Sequence, residues 1–89
     1  MKNKKKSSKA AAINYDAEKD RAPRLVAKGS GNIADKIIEI ARQHDIPMVK
    51  DENLVQVLEA LDLETEIPPE LYRAVAEVLA FIYRLNKKL

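Results

Sequence analysis

The sequence predicts a small α/β domain in which a three-stranded sheet packs with three helices behind a disordered basic tail. Short apolar runs bounded by Gly, Pro and Asp are typical of strands. Three longer segments repeat apolar residues at helical spacing, and lysines crowd the first nine residues. Because 89 residues suit a single domain, we place a tail at residues 1–9 and the domain at residues 10–89.

Two apolar runs near the start of the domain predict a hairpin-like pair of strands. The first covers residues 10–15. The second covers residues 23–28 and is closed by the turn Gly29-Ser30-Gly31. Pro23 is tolerated as the first residue of a strand, since no ladder hydrogen bond is needed from its nitrogen there.

A helix and a third strand are predicted next, followed by a second helix. Asn32 is a suitable cap for a helix over residues 32–44, and residues 47–50 form a short apolar run after it. Strand, helix and strand in this order predict a right-handed βαβ unit with parallel strands. Asp51 then caps a short helix with apolar residues at Leu54, Val55, Leu58 and Leu61.

The last helix, within residues 67–85, has more apolar surface than one packing contact needs. Its start is marked by Pro68 and Pro69. Steps of four and three residues place two rows on neighbouring faces. The first stripe is Leu71, Val75, Val78, Ile82 and Leu85, and the second stripe is Tyr72, Ala76, Leu79 and Tyr83. Either both stripes are core, or the second stripe binds a partner.

The residue inventory argues against an enzyme and for a binding module. The chain has no cysteine and one histidine, His44, at a predicted helix end, so we expect no metal site and no cofactor. Ser7 and Ser8 lie in the tail with no base nearby, which excludes an activated nucleophile there. No apolar run approaches the ~20 residues of a membrane span, and we expect a cytosolic protein that binds no small-molecule substrate.

The charge is unevenly distributed. Five lysines and no acid fall in residues 1–9, whereas the rest carries 11 basic and 14 acidic side chains. Such a tail is usually solvated, but nucleic acid, an acidic protein or an anionic membrane surface are also partners for it. The tail has no arginine or aromatic residue, which weakens the nucleic-acid interpretation.

Several blocks in one order resemble the C-terminal cytoplasmic domain of the FlhB/YscU family, the substrate-specificity switch of flagellar and type III protein export. They are Tyr-Asp at 15–16, Ala-Pro-Arg-Leu-Val-Ala-Lys-Gly at 22–29, Ile-Ala-Arg-Gln-His-Asp-Ile-Pro at 40–47, Ile-Pro-Pro-Glu-Leu-Tyr at 67–72 and Ala-Val-Ala-Glu-Val-Leu-Ala at 74–80. The resemblance covers about residues 10–86 and is closer to the flagellar branch.

The chain departs from that family at its start. The self-cleaving Asn-Pro-Thr-His motif would fall at residues 5–8, which are Lys-Lys-Ser-Ser, and no Asn-Pro pair occurs in the sequence. We expect neither self-cleavage nor the membrane domain that precedes this region in relatives. We also expect the strand ahead of the motif to be missing, so that one sheet edge is open to a partner or a weak dimer.

The resemblance also implies a function and a site. The family's substrate-binding patch corresponds to Ala22, Pro23, Ala76 and Leu79, to which the second stripe adds Tyr72 and Tyr83. The expectation is a non-enzymatic adaptor that binds export substrates or the export apparatus, in the cytoplasm or peripherally at that apparatus. It would substitute for, or compete with, the same domain of a full-length relative. The alternative is nucleic-acid or anionic-surface binding through the lysine tail.

Overall fold

The computed structural model describes residues 8–87, and the predicted α/β fold with one strand pair and three helices is confirmed. The elements are β1 (Lys9–Asn14), β2 (Arg24–Ser30), α1 (Asn32–Gln43), α2 (Glu52–Glu59) and α3 (Tyr72–Lys87). The sheet begins at Lys9, the last residue of the predicted tail, and residues 1–7 of that tail lie outside the described residues. None of the described helices combines the length and apolarity needed to cross a membrane.

The two strands are antiparallel, and β2 contains one extra residue. Ala12 lies opposite Ala27 and Ile13 lies opposite Leu25, so Val26 has no partner on β1. An extra residue of this kind reverses the alternation of side chains along a strand. As a result Leu25 enters the same core as α2, on the side from which Lys28 also reaches α2.

Residues 47–50 do not form the predicted third strand, and no βαβ unit is present among the described residues. The outer edge of β2 is instead bonded to residues 64–67 in the antiparallel sense. Leu25 N–H donates to Thr65 O at 3.1 Å, Glu64 N–H to Leu25 O at 2.7 Å, and Ile67 N–H to Pro23 O at 2.8 Å. The backbone groups at the start of β2 that a parallel neighbour would need are therefore already used.

Helix α1 lies against both strands, and its capping residue lies one position earlier than the sequence predicted. Gly31, not Asn32, is the capping residue, with φ 60°, a backbone conformation that glycine adopts without strain. Ala34 is fully buried. A side chain at Gly29 would overlap Ile33, so this glycine allows the close approach of α1 and β2.

Helix α2 begins as predicted, because the Asp51 carboxylate accepts a hydrogen bond from Leu54 N–H at 3.0 Å. Its buried residues, Leu54 and Leu58, lie one turn apart and enter the core.

A 3-10 turn at Pro69–Leu71 leads into α3, with proline at the position where its missing N–H costs little. The central core joins this end of the chain to the sheet and to α2. It contains Leu25, Leu54, Leu58, Ile67 and Val75, all buried. Burying such aliphatic side chains contributes roughly 1.5–3 kcal/mol each to stability.

Candidate functional site

The two stripes of α3 have different surroundings. In the first stripe Val75 is 1 % exposed and Leu71 and Val78 pack against the core. In the second stripe Tyr72 is 45 % exposed and Tyr83 62 % exposed, and Ala76 is also exposed. Leu79 is half-buried and packs against the core at the inner side of this stripe. Most of the second stripe is thus on the surface, next to a first stripe that packs against the core through Leu71, Val75 and Val78.

The loop before β2 is tied to the segment that leads into α3. Pro23 O accepts a hydrogen bond from Ile67 N–H at 2.8 Å. Ile67 and Val75 belong to the same core, and Leu79 packs against this core. Pro23 is half-buried, whereas Ala22 is only 3 % exposed. The structure therefore links the loop and α3 through one core, and Ala22 offers little surface of its own.

An ion pair and a hydrogen bond from two arginines also join the loop and the start of β2 to the segment before α3. Arg21 Nε lies 3.4 Å from Glu66 Oε2, and Arg24 Nη1 donates to Glu64 O at 2.8 Å. The Arg21–Glu66 pair is exposed, so it contributes at most about 1 kcal/mol. The bond from Arg24 is directed at the one residue of this segment with positive φ, Glu64 at 65°.

A second polar cluster lies where α2 ends and β1 begins. Glu59 Oε1 lies 2.9 Å from Lys9 Nζ, and Glu59 Oε2 accepts a hydrogen bond from Ser30 Oγ at 2.6 Å. Lys28 Nζ donates to the carbonyl oxygens of Glu59 and Leu61. The hydrogen bonds from Ser30 and then Lys9 hold the pKa of Glu59 below its usual value. The polar groups of this cluster are hydrogen-bonded to one another, and we therefore interpret the cluster as structural and not as a reactive site.

Residues 8–87 contain no group of three or more acidic, His or Cys side chains placed to hold a metal ion. His44 is exposed at the end of α1. Along α3 the exposed side chains Tyr72, Phe81, Tyr83 and Leu85 offer apolar and amphipathic contact.

Sequence reasoning missed one part of the α3 surface. Phe81 is 47 % exposed, and Leu85, assigned to the first stripe, is 51 % exposed. The helix continues past the core, so the last residues of the first stripe have little to pack against. The signal was a third row with steps of four, three and four residues: Ala74, Val78, Phe81 and Leu85.

Comparisons with known proteins agree with this architecture. The sequence model of the FlhB HrpN YscU SpaS Family matches residues 8–82. The protein YlqH of Bacillus subtilis, whose function is uncharacterised, is 41 % identical over 87 residues, covering 98 % of this chain and 94 % of its own length. The flagellar biosynthetic protein FlhB of Aquifex aeolicus is 46 % identical over 80 residues, which cover 89 % of this chain and 23 % of that protein.

A solved structure shares the fold. The cytoplasmic domain of FlhB from Shewanella putrefaciens superposes with a TM-score of 0.84 at 36 % identity, covering 90 % of this chain and 63 % of that chain. This chain thus spans less than a quarter of the FlhB protein from Aquifex and nearly the whole of YlqH.

Proposed function

This chain belongs to the FlhB/HrpN/YscU/SpaS family of protein-export components, and on that premise we propose that it is a non-enzymatic adaptor in flagellar or type III export. It binds export substrates or proteins of the export apparatus through the second stripe of α3 together with Pro23. It acts in the cytoplasm or peripherally at the membrane-embedded apparatus. There it substitutes for, or competes with, the same domain of a full-length relative.

The observation that carries this proposal is the exposure of Tyr72, Ala76 and Tyr83 on a helix that packs against the core through its first stripe. Amphipathic aromatic side chains held on a rigid element are well suited to binding a protein segment, because little conformational entropy is lost on contact. A small, half-polar surface of this kind fits weak and transient binding better than a permanent complex.

Self-cleavage is not part of the proposal. Residues 5–8 are Lys-Lys-Ser-Ser where relatives carry Asn-Pro-Thr-His. The cleavage needs an Asn side-chain amide to attack its own carbonyl, and no residue in this stretch supplies that amide.

Fluorescence anisotropy with labelled N-terminal segments of early, rod-type and hook-type export substrates tests the binding. Leu79→Asp is an obvious variant, but Leu79 packs against the core, so this change also lowers stability. Ala76→Glu is the sharper variant, since Ala76 is exposed. Ala60→Glu is the matched control, because Ala60 is exposed at the end of α2, away from the second stripe.

We expect saturable binding by the wild-type chain and by Ala60→Glu, and loss of binding by Ala76→Glu at unchanged melting temperature. Equal binding by Ala76→Glu would refute the site. Binding that disappears at high salt and is insensitive to Ala76→Glu would favour the alternative, in which the lysines at residues 2–6 bind an anionic partner.

A further inference from the structure

Among residues 8–87 no segment pairs with the outer edge of β1, and we propose that this edge pairs antiparallel with the β1 edge of a second copy of this chain. The resulting sheet has the order β2–β1–β1–β2 across a two-fold axis. This surface is distinct from the α3 surface of the proposed function and does not depend on it.

The backbone of β1 directs every second residue away from β2. Gly31 N–H donates to Ser8 O at 2.8 Å, so the carbonyl of Ser8 faces β2. Because the direction of the N–H and C=O groups alternates along an antiparallel strand, those of Lys9, Ala11 and Ile13 point outward. Within the described residues no backbone hydrogen bond reaches these outward groups.

This edge lacks the features that usually prevent strand pairing. Protein edges are commonly protected by proline, by charged side chains or by a bulge. Here the extra residue lies on β2, not on β1, and β1 has no proline. Its one charged residue, Lys9, already has a carboxylate partner in Glu59.

A second copy fits because the edge is self-complementary. With the axis at Ala11, the two copies of this residue are directly opposite, and each Lys9 lies opposite the other copy's Ile13. All of these groups point outward, so about six N–H···O bonds form between the copies. Ala10 then lies opposite the other copy's Ala12, and no like charges face each other.

Charge along the chain also favours the antiparallel arrangement. In an antiparallel pair, the start of β1 in one copy lies beside the end of β1 in the other. Lys9 is at the start of β1, and the sequence before it contains four more lysines and no acid. Asp16, Glu18 and Asp20 follow β1, with Lys19 as the one base among them, and Asp16 and Glu18 are exposed. The basic start of β1 in one copy is thus directed toward the acidic turn that follows β1 in the other.

The absence of cysteine from the sequence makes cross-linking a clean test. In the proposed register the two Ala11 Cα atoms are about 5.5 Å apart, within the range that a disulfide spans. Two Ala12 residues are offset by two positions, which is about 7 Å along the strands and beyond that range. Ala11→Cys is the probe, Ala12→Cys the matched control, and Ala17→Cys in the exposed turn reports random collisions.

Sedimentation equilibrium of the full wild-type chain is measured alongside, at low and high salt. We expect a concentration-dependent dimer that weakens as salt rises, and a covalent dimer from Ala11→Cys well above the level of both controls. A wild-type chain that is monomeric at every concentration overturns the proposal. So does cross-linking through Ala12→Cys instead of Ala11→Cys, or equal cross-linking by all three variants.

Hydrogen exchange of the wild-type chain gives a second measurement that needs no variant. On going from dilute to concentrated protein, the amides of Ala11 and Ile13 should become protected, while those of Ala10 and Ala12, already bonded to β2, should change little. Protection that does not depend on concentration overturns the proposal.

Discussion

Replacing Lys28 by Met tests whether the polar cluster at the end of α2 stabilises the fold. The Lys28 ammonium group donates to the carbonyl oxygens of Glu59 and Leu61. Glu59 is the last residue of α2 and Leu61 lies two residues beyond it, so neither carbonyl has a partner within the helix. Methionine keeps the apolar stem of lysine but removes the donor. The substitution therefore isolates the two hydrogen bonds from the packing.

The expected loss follows from the number and setting of these bonds. A hydrogen bond from a charged donor contributes about 1.5–3 kcal/mol, and the part-buried position of Lys28 favours the lower end because water can replace the donor. Because both bonds come from one ammonium group, we count them together as a single contribution of this size and expect Lys28→Met to lower the free energy of unfolding by about 2 kcal/mol. In a domain of this size that corresponds to a fall in melting temperature of roughly 8–16 °C.

Urea denaturation followed by circular dichroism measures this difference directly. Lys36→Met is the matched control, since Lys36 is exposed on α1 and such changes usually stay within about 0.5 kcal/mol. If Lys28→Met were as stable as Lys36→Met, the bonds to the end of α2 would not be worth more than bonds to water. Lys28 would then have no role in joining α2 to the sheet.

Two further predictions concern Glu59 and Glu64. The folded-state pKa of Glu59 is lowered, so its carboxylate contributes stability above its unfolded pKa, and this contribution is lost as the pH falls through the lower folded value. The difference in unfolding free energy between wild type and Glu59→Gln, measured by urea titration at a series of pH values, should therefore be largest near neutrality and vanish in acid. A difference that stays constant with pH would contradict this. Glu64 has φ 65°, which costs a side chain about 1 kcal/mol or more, so Glu64→Gly should raise the melting temperature in calorimetry, whereas the control Glu66→Gly should not.

Much of the fold is local and could be predicted from the sequence. Asp51 caps α2 as expected, and the prolines before α3 mark its start. The separation of two stripes on α3 also follows from residue spacing alone, since 3.6 residues per turn fix which side chains share a face. These features depend on residues only a few positions apart.

The features that were not predicted depend on contacts between segments that are distant in the sequence, through the backbone or through side chains. Residues 64–67 contain one apolar residue, Ile67, and gave no strand prediction, yet their N–H and C=O groups bond to the start of β2, and backbone bonding has no side-chain signature. The apolar run at residues 47–50 resembled a strand but has no partner in the sheet. The contacts of Glu59 with Lys9 and Ser30 span 50 and 29 residues, so no spacing rule shows them.

The sheet topology has a consequence for the two proposed surfaces. The segment 64–67, which leads into α3, bonds to the outer edge of β2, whereas the proposed self-association uses the outer edge of β1. The two surfaces therefore start from opposite edges of the sheet, and pairing through β1 should leave the second stripe accessible in both copies. If so, the disulfide-linked Ala11→Cys dimer should bind a labelled export-substrate segment at two equivalent sites with the affinity of the monomer. Binding at a single site, or tenfold weaker binding, would show that the dimer covers α3 and would contradict this arrangement.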